Sequence, residues 1–174
     1  MNLPTWITVS RLAAVPFLLY WLQAPTPERQ WWAVAAFLLA AGTDWLDGYL
    51  ARRLNQVTDL GKFLDPLVDK LLVLAPLLSL IALGRVPAWG VFLILGRELA
   101  VAGWRVNQTQ ISGANLWGKA KTVVQMGAIA LLIAPVPQWQ GLAMITFWLA
   151  VALTLISGGI YLWPQSSLPR KEDS

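Results

Sequence analysis

Long apolar stretches alternate with short polar connections along almost the whole chain. A helix needs about 20 predominantly apolar residues to cross the hydrocarbon core of a bilayer, and six stretches approach that length. The first is the weakest, since Arg11 and Pro16 interrupt it. The pattern predicts an all-α, polytopic membrane protein with about six transmembrane helices. The predicted spans are about 7–23, 31–53, 63–83, 87–104, 121–134 with its flanks, and 141–163.

The connections between these stretches are short, and no internal repeat or long linker separates them. Residues 1–164 are therefore predicted to form a single helical membrane domain. Residues 165–174 are polar and are predicted to form a flexible cytoplasmic tail. The first apolar stretch lacks a preceding basic region and a small-residue cleavage site, which favours a retained helix over a signal peptide.

Composition limits the chemistry that the protein can use. Of its 174 residues, 57% are hydrophobic and 13% are charged, and cysteine and histidine are both absent. Without cysteine there is no disulfide, no thiol nucleophile and no thiolate metal ligand. A catalytic base or a metal ligand must therefore come from carboxylates, with lysine or tyrosine as less favoured sources.

Basic residues are concentrated in alternate connections of the predicted bundle. Because cytoplasmic connections of membrane proteins are enriched in Lys and Arg, this asymmetry indicates orientation better than the net charge of +4 does. It places both termini and the connections at 54–62 and 105–120 in the cytoplasm, for a protein of a plasma or inner membrane. The residues concerned are Arg11, Arg52, Arg53, Lys62, Arg105, Lys119, Lys121, Arg170 and Lys171.

The stretch DWLDGYLARRLNQVTDLGKFLDPLVD, residues 44–69, departs from the apolar pattern. On a helix, positions separated by three, four, seven and eight residues share one face. Here that face carries carboxylates, small residues and one guanidinium, while bulky residues lie opposite. Its members are Asp44, Asp47, Gly48, Ala51 and Arg52.

A second stripe follows in the next predicted helix. Gly61, Asp65 and Asp69 are spaced by four residues, which places them on one face if the segment is helical. Pro66 leaves another option open, because proline suits the first position of a helix and Asp65 would then be its cap. Either arrangement keeps Asp65 and Asp69 within one turn of each other.

Aspartates in these positions require compensation. One Asp at the centre of a transmembrane helix costs about 2.5 to 3.5 kcal/mol on insertion scales, and four cost roughly 10 kcal/mol. That sum is comparable to the whole stability of many proteins. Three interpretations are open: solvated side chains paired with nearby Arg and Lys, an ion or proton pathway, or a site for two divalent ions. Asp59 lies on neither stripe and fits the solvated class.

Written as D-x2-D-G-x2-A-R-x8-G-x3-D-x3-D, the stretch resembles the signature of the CDP-alcohol phosphotransferase family at all eight fixed positions. Three further segments, NLPTWITVSR, GRE at 96–98 and LWGKAKTVVQM, are similar to the branch that makes phosphatidylglycerophosphate. The resemblance implies a six-helix, usually dimeric membrane enzyme. Such an enzyme transfers the phosphatidyl group of CDP-diacylglycerol to an alcohol and releases CMP.

The resemblance also implies roles for individual residues. Two Mg²⁺ or Mn²⁺ ions would be held by Asp44, Asp47, Asp65 and Asp69. Asp69 would in addition be the general base that deprotonates the acceptor hydroxyl. The nucleotide and its diphosphate would contact Gly48, Ala51, Arg52, Gly61, Asn2 and Thr5.

A cluster of cations around the fourth and fifth spans bears on the acceptor. Arg97 lies inside an apolar run, where Glu98 or a substrate phosphate would pair with it. With the branch resemblance, this favours glycerol 3-phosphate as acceptor, bound by Arg97, Lys119 and Lys121, with Thr122 as a weaker candidate. Positive-inside topology explains Lys119 equally well, and an inositol phosphate would use a similar cluster.

Two other classes of protein compete with an enzyme. A cation transporter would use intramembrane carboxylates as its pathway, but its acids would be distributed through the membrane depth and repeated in two halves. Here the acids form two adjacent stripes that do not recur later in the chain. A lipid-binding scaffold without turnover is disfavoured because all four aspartates are retained.

Overall fold

The computed structural model describes the backbone of residues 3–54, 59–106 and 116–162, and the side chains of 10–43, 66–103 and 120–159. This part of the chain forms six α-helices and no strand. A 3₁₀ turn at Pro137–Trp139 precedes the last helix. The helices are α1 Leu3–Gln23, α2 Pro27–Leu54, α3 Asp59–Ala82, α4 Ala88–Val106, α5 Leu116–Ile133 and α6 Gln140–Leu162.

All six predicted helices are therefore confirmed, with ends that differ by a few residues. Three prolines lie inside helices rather than at their ends, Pro16 in α1 and both Pro66 and Pro76 in α3. Because α3 begins at Asp59, the alternative in which Asp65 caps a helix starting at Pro66 is wrong. The predicted tail, residues 165–174, lies outside the described residues.

The helices pack in two groups around one apolar core. α1 packs against α2 and α3, α6 packs against α4 and α5, and contacts of α5 with α2 and α3 join the groups. Within the described ranges, the segment Pro137–Gly159 is the one both long and apolar enough to cross a membrane, while the apolar helix Ala120–Ile133 is shorter. The core includes Leu18, Leu22, Phe37, Leu72, Leu80, Ile94, Ile129, Ile133, Phe147 and Ala150.

One end of the bundle is closed by polar contacts to the last carbonyls of α5. The Gln30 side chain donates to the carbonyl of Ile133 at 2.9 Å, and Arg85 donates to that of Leu132 at 3.0 Å. Helix C-terminal carbonyls have no partner within their own helix, so these contacts explain why a buried glutamine is tolerated. Gly84, with φ of 67°, ends α3 in the left-handed conformation that glycine adopts without strain.

Two glycines allow α4 and α6 to approach closely. A Cβ at Gly90 of α4 would lie 2.6 Å from Cε1 of Phe147, and a Cβ at Gly158 of α6 would lie 2.7 Å from Cγ of Arg97. The order of these contacts along both helices shows that α4 and α6 run in the same direction. Small residues at such positions are typical of helix interfaces in membranes.

Replacing Gly90 by alanine is expected to destabilise the protein, because the ring of Phe147 is fully packed and cannot move away from the added methyl. Overpacking of this kind costs about 1 to 3 kcal/mol. Thermal unfolding in detergent measures the effect. Gly96→Ala on the same helix is the matched control, since no described atom lies within 4 Å of its Cβ position. Equal unfolding temperatures for the two variants would contradict this packing.

Candidate active site

The aspartate motif lies on two continuous helices. α2 continues through residue 54 and α3 covers residues 59–82, so both stripes have the helical backbone on which their prediction depends. Most motif side chains lie outside the described residues, as do those of Thr5 and Lys119, and Asn2 lies outside entirely. The motif positions concerned are Asp44, Asp47, Gly48, Ala51, Arg52, Gly61 and Asp65. Their roles stay predictions, and Asp69 is the motif member whose side chain is described.

Asp69 is paired with a buried arginine of α1. Arg11 Nη1 donates to Asp69 Oδ1 at 2.8 Å, and the exposed fractions of the two side chains are 2% and 44%. A buried guanidinium needs a partner of opposite charge, and the carboxylate supplies it while staying accessible. Arg11, which in the sequence only interrupts an apolar stretch, therefore forms an ion pair with the motif residue Asp69. The sequence signal for that pair was an isolated charge within a predicted span.

A cavity of about 380 Å³ lies beside Asp69, lined by residues of α2, α3, α4 and α5. Its polar lining comes from Asp69, Lys70, Glu98, Lys121, Thr122 and Gln125. Its apolar lining includes Leu72, Val73, Leu77, Val91, Ile94, Leu95 and Met126. The cavity can therefore hold a molecule with a charged end and an apolar part.

Two of the predicted acceptor ligands meet at Glu98. Arg97 Nη1 donates to Glu98 Oε1 at 3.1 Å, and Lys121 Nζ donates to the same oxygen. Lys121 and Glu98 line the cavity, whereas Arg97 is not among its lining residues. The structure thus brings Arg97 and Lys121 together around one carboxylate. Their role toward a substrate stays a prediction.

α6 holds Arg97 in place. Arg97 Nη2 donates to Ser157 Oγ at 3.0 Å, and Ser157 in turn donates to the carbonyl of Thr154 at 3.0 Å. Gly158 leaves room for the arginine stem against the α6 backbone. Sequence reasoning missed Ser157 and Gly158, since α6 showed only hydrophobicity and the contact joins residues 60 positions apart. A serine and two glycines near the end of an apolar helix were the available signal.

The residues present fit divalent metal ions by the chemistry of their donors. Among the described side chains, no group of three or more His, Cys, Asp or Glu lies together. The accessible carboxylate of Asp69 is a hard oxygen donor, and the other three motif aspartates lie on the same two helices, which contact each other. Hard oxygen donors are the ligands that Mg²⁺ and Mn²⁺ prefer.

An all-helical bundle that brings a carboxylate, Asp69, and a cation, Lys121, into the lining of one cavity is suited to transferring a phosphate-containing group. The chain belongs to the CDP-alcohol phosphatidyltransferase family, whose model matches residues 1–156. It is therefore an enzyme of the phosphatidyltransferase type, and the resemblance drawn from the motif is confirmed. This membership overturns the cation-transporter alternative.

Relatives of known name match nearly the whole chain. A CDP-diacylglycerol–glycerol-3-phosphate 3-phosphatidyltransferase of Bacillus subtilis is 40% identical, over 92% of this chain and 93% of its own. An enzyme of the same name from Pseudomonas fluorescens is 39% identical, over 94% and 86%. A cardiolipin synthase (CMP-forming) of Oryza sativa is 37% identical, over 94% of this chain and 55% of its own.

Proposed function

We propose that this protein transfers the phosphatidyl group of CDP-diacylglycerol to glycerol 3-phosphate, giving phosphatidylglycerophosphate and CMP. The observation that carries the proposal is the cavity that has Asp69 and Lys121 in one lining, a candidate base beside a candidate phosphate ligand. The names of the bacterial relatives support the same reaction.

The reaction exchanges one bond to phosphorus for another. The acceptor hydroxyl oxygen attacks the phosphorus attached to diacylglycerol, and the bond from that phosphorus to the CMP oxygen breaks. Asp69 takes the hydroxyl proton, and CMP leaves with the electron pair of the broken bond. Arg11 holds the Asp69 carboxylate at 2.8 Å and so fixes its orientation toward the cavity.

Other residues of the chain bind and orient the two substrates. Lys121 and Arg97 bind the phosphate of glycerol 3-phosphate, with Lys119 as a further ligand, so that its hydroxyl approaches Asp69. Arg52 meets the diphosphate through its planar guanidinium. Asp44, Asp47, Asp65 and Asp69 would hold two Mg²⁺ or Mn²⁺ ions. Such ions supply charge stabilisation for the attacking and leaving oxygens.

A bilayer location accounts for the exposed surface of the bundle. Large apolar side chains are exposed on every helix, among them Phe17, Leu39, Leu78, Phe92, Val123 and Ile145. A surface of this kind is suited to lipid rather than water. We extend the proposal to six membrane spans, with the termini and the cavity facing the cytoplasm, and to a homodimer.

The test of the proposal is CMP release by the purified protein in detergent with CDP-diacylglycerol and Mg²⁺ or Mn²⁺. Glycerol 3-phosphate is compared with inositol phosphate, inositol, serine and phosphatidylglycerol, the last included because of the cardiolipin synthase relative. Turnover with glycerol 3-phosphate alone is the expected result. Turnover with another acceptor, and none with glycerol 3-phosphate, would contradict the proposed acceptor.

Replacing Gly158 by alanine is expected to raise the KM for glycerol 3-phosphate, because the added Cβ would lie 2.7 Å from Cγ of Arg97 and displace the guanidinium. The loss of one hydrogen bond to a charged group corresponds to a change of about tenfold. The KM for CDP-diacylglycerol should change little. Gly159→Ala is the matched control, as no described atom lies within 4 Å of its Cβ position. Equal KM values for the two variants would exclude a role of Gly158 in positioning Arg97.

A further inference from the structure

Two cations, one on α4 and one on α5, converge on a single oxygen atom. Arg97 and Lys121 both donate to Oε1 of Glu98, and the exposed fractions of their side chains are only 10% and 11%. A point reached by two nearly buried cationic donors is where an oxyanion binds strongly. In this structure the carboxylate of Glu98 supplies that oxyanion from within the chain.

Glu98 also lies where an acceptor would enter. Its side chain is 25% exposed, and it lines the same cavity as Lys121 and Asp69. An external anion that binds these cations must replace the carboxylate oxygen or share the cations with it. Separating a carboxylate from two partly buried cations is costly, so the incoming ligand has to carry more charge than the carboxylate it replaces.

We propose that Glu98 is a specificity-determining residue, an internal anion that admits dianionic phosphate monoesters to the site and keeps singly charged phosphodiesters out. The inference rests on the proposed function, because it takes Arg97 and Lys121 as ligands of the acceptor phosphate. A phosphate monoester carries about −1.5 to −2 charges near pH 7, which exceeds the single charge of Glu98. A phosphodiester carries one charge, so replacing the Glu98 carboxylate at the two cations gives it little binding free energy.

Discrimination against phosphodiesters matters for an enzyme that works beside lipids. Most phospholipid headgroups are phosphodiesters, and in the proposed bilayer location they are present at high local concentration around the cavity. Without Glu98 the cation pair would bind these headgroups and the site would be blocked. With Glu98 in place, an anion binds only if the two cations attract it more strongly than they attract the carboxylate, and the dianionic monoester is the ligand that meets this condition.

The experiment uses methyl phosphate and dimethyl phosphate as probes of the two charge states. The purified full-length protein in detergent is titrated with each probe at an ionic strength held constant with chloride. Two readouts are taken, the shift in the unfolding temperature and the inhibition of CMP release from CDP-diacylglycerol and glycerol 3-phosphate. For the unchanged protein, methyl phosphate should stabilise and inhibit, and dimethyl phosphate should do neither.

Glu98→Gln keeps the shape and the accepting oxygen but removes the charge. In this variant dimethyl phosphate is expected to bind, with an inhibition constant lowered by about tenfold or more, the size of one lost charge interaction near a protein surface. Methyl phosphate should also bind more tightly to this variant than to the unchanged protein. A purely structural role for Glu98 predicts the opposite, since loosened cations would bind both probes more weakly.

Three controls complete the test. Glu28→Gln, at an exposed carboxylate in the first turn of α2, should behave as the unchanged protein. Adding Lys121→Met to Glu98→Gln should remove the gained binding, and a gain that persists there would overturn the proposal. If Glu98→Gln does not fold, Glu98→Asp withdraws the carboxylate by one methylene, and a smaller effect in the same direction is expected.

The outcomes separate the two proposals. Probe binding that is no tighter in the folded Glu98 variants than in the unchanged protein overturns the role of Glu98, whatever the enzyme does with its substrates. Absence of CMP release from glycerol 3-phosphate in the unchanged protein overturns the proposed function. The unfolding-temperature readout still decides the role of Glu98 in that case, because it does not depend on turnover.

Discussion

Replacing Asp69 by asparagine is expected to lower the rate of CMP release by about 10²- to 10⁴-fold, the contribution typical of a positioned general base. Asparagine has nearly the same shape, and its side-chain oxygen can still accept the hydrogen bond from Arg11. It cannot take a proton from the acceptor hydroxyl. The effect should therefore appear in kcat with saturating CDP-diacylglycerol and glycerol 3-phosphate.

The control for this prediction is Asp59→Asn, the same substitution on the same helix at a position outside both stripes. It should retain the activity of the unchanged protein. The unfolding temperature of both variants shows whether Asp69→Asn is folded despite the loss of the ion pair between Asp69 and Arg11. An undiminished kcat in folded Asp69→Asn would exclude Asp69 as the base.

Replacing Lys121 by methionine is expected to raise the KM for glycerol 3-phosphate by about 10- to 100-fold, since a hydrogen bond to a charged group contributes about 1.5 to 3 kcal/mol. The substitution removes one donor from the cation pair and leaves Arg97 neutralised by Glu98. Methionine retains most of the volume of the lysine stem, so packing beside the cavity should change little. Initial rates at varied glycerol 3-phosphate measure the effect.

Lys121→Arg serves as the charge-preserving comparison. It should recover much of the affinity for glycerol 3-phosphate, because a guanidinium also binds phosphate. The KM for CDP-diacylglycerol should be similar in both variants, since Lys121 is assigned to the acceptor alone. A parallel rise in the KM of both substrates would indicate a general loss of structure. An unchanged KM for glycerol 3-phosphate would contradict the assignment of Lys121 as a ligand of its phosphate.

The helices were predictable from the sequence because each is marked by a long apolar run. Their ends were less so. α3 begins at Asp59, several residues before the predicted start near 63, because a polar helical turn carries no hydrophobic signal. Pro66 suggested a helix start, yet the helix passes through it, which shows that tertiary packing outweighs the local preference of proline.

The parts of the site whose residues are close in sequence could be predicted, and the contacts between residues distant in sequence could not. The aspartate motif repeats at helical spacing, so it could be recognised without a structure. The contacts of Arg11 with Asp69 and of Arg97 with Ser157 join residues 58 and 60 positions apart, and no local pattern indicates such pairs. Arg97 and Glu98 are adjacent in sequence, and their pairing was one of the two options that the sequence left open for Arg97.

The cation pair and its supports lie on α4, α5 and α6, whereas the aspartate motif lies on α2 and α3. Under the proposed function, bond exchange at phosphorus and the choice of alcohol are therefore assigned to separate segments of the chain. A lineage that changed residues of the last three helices could acquire a new acceptor while its reactive machinery stayed intact. Such modularity would let one ancestral bundle give rise to enzymes that make different phospholipids.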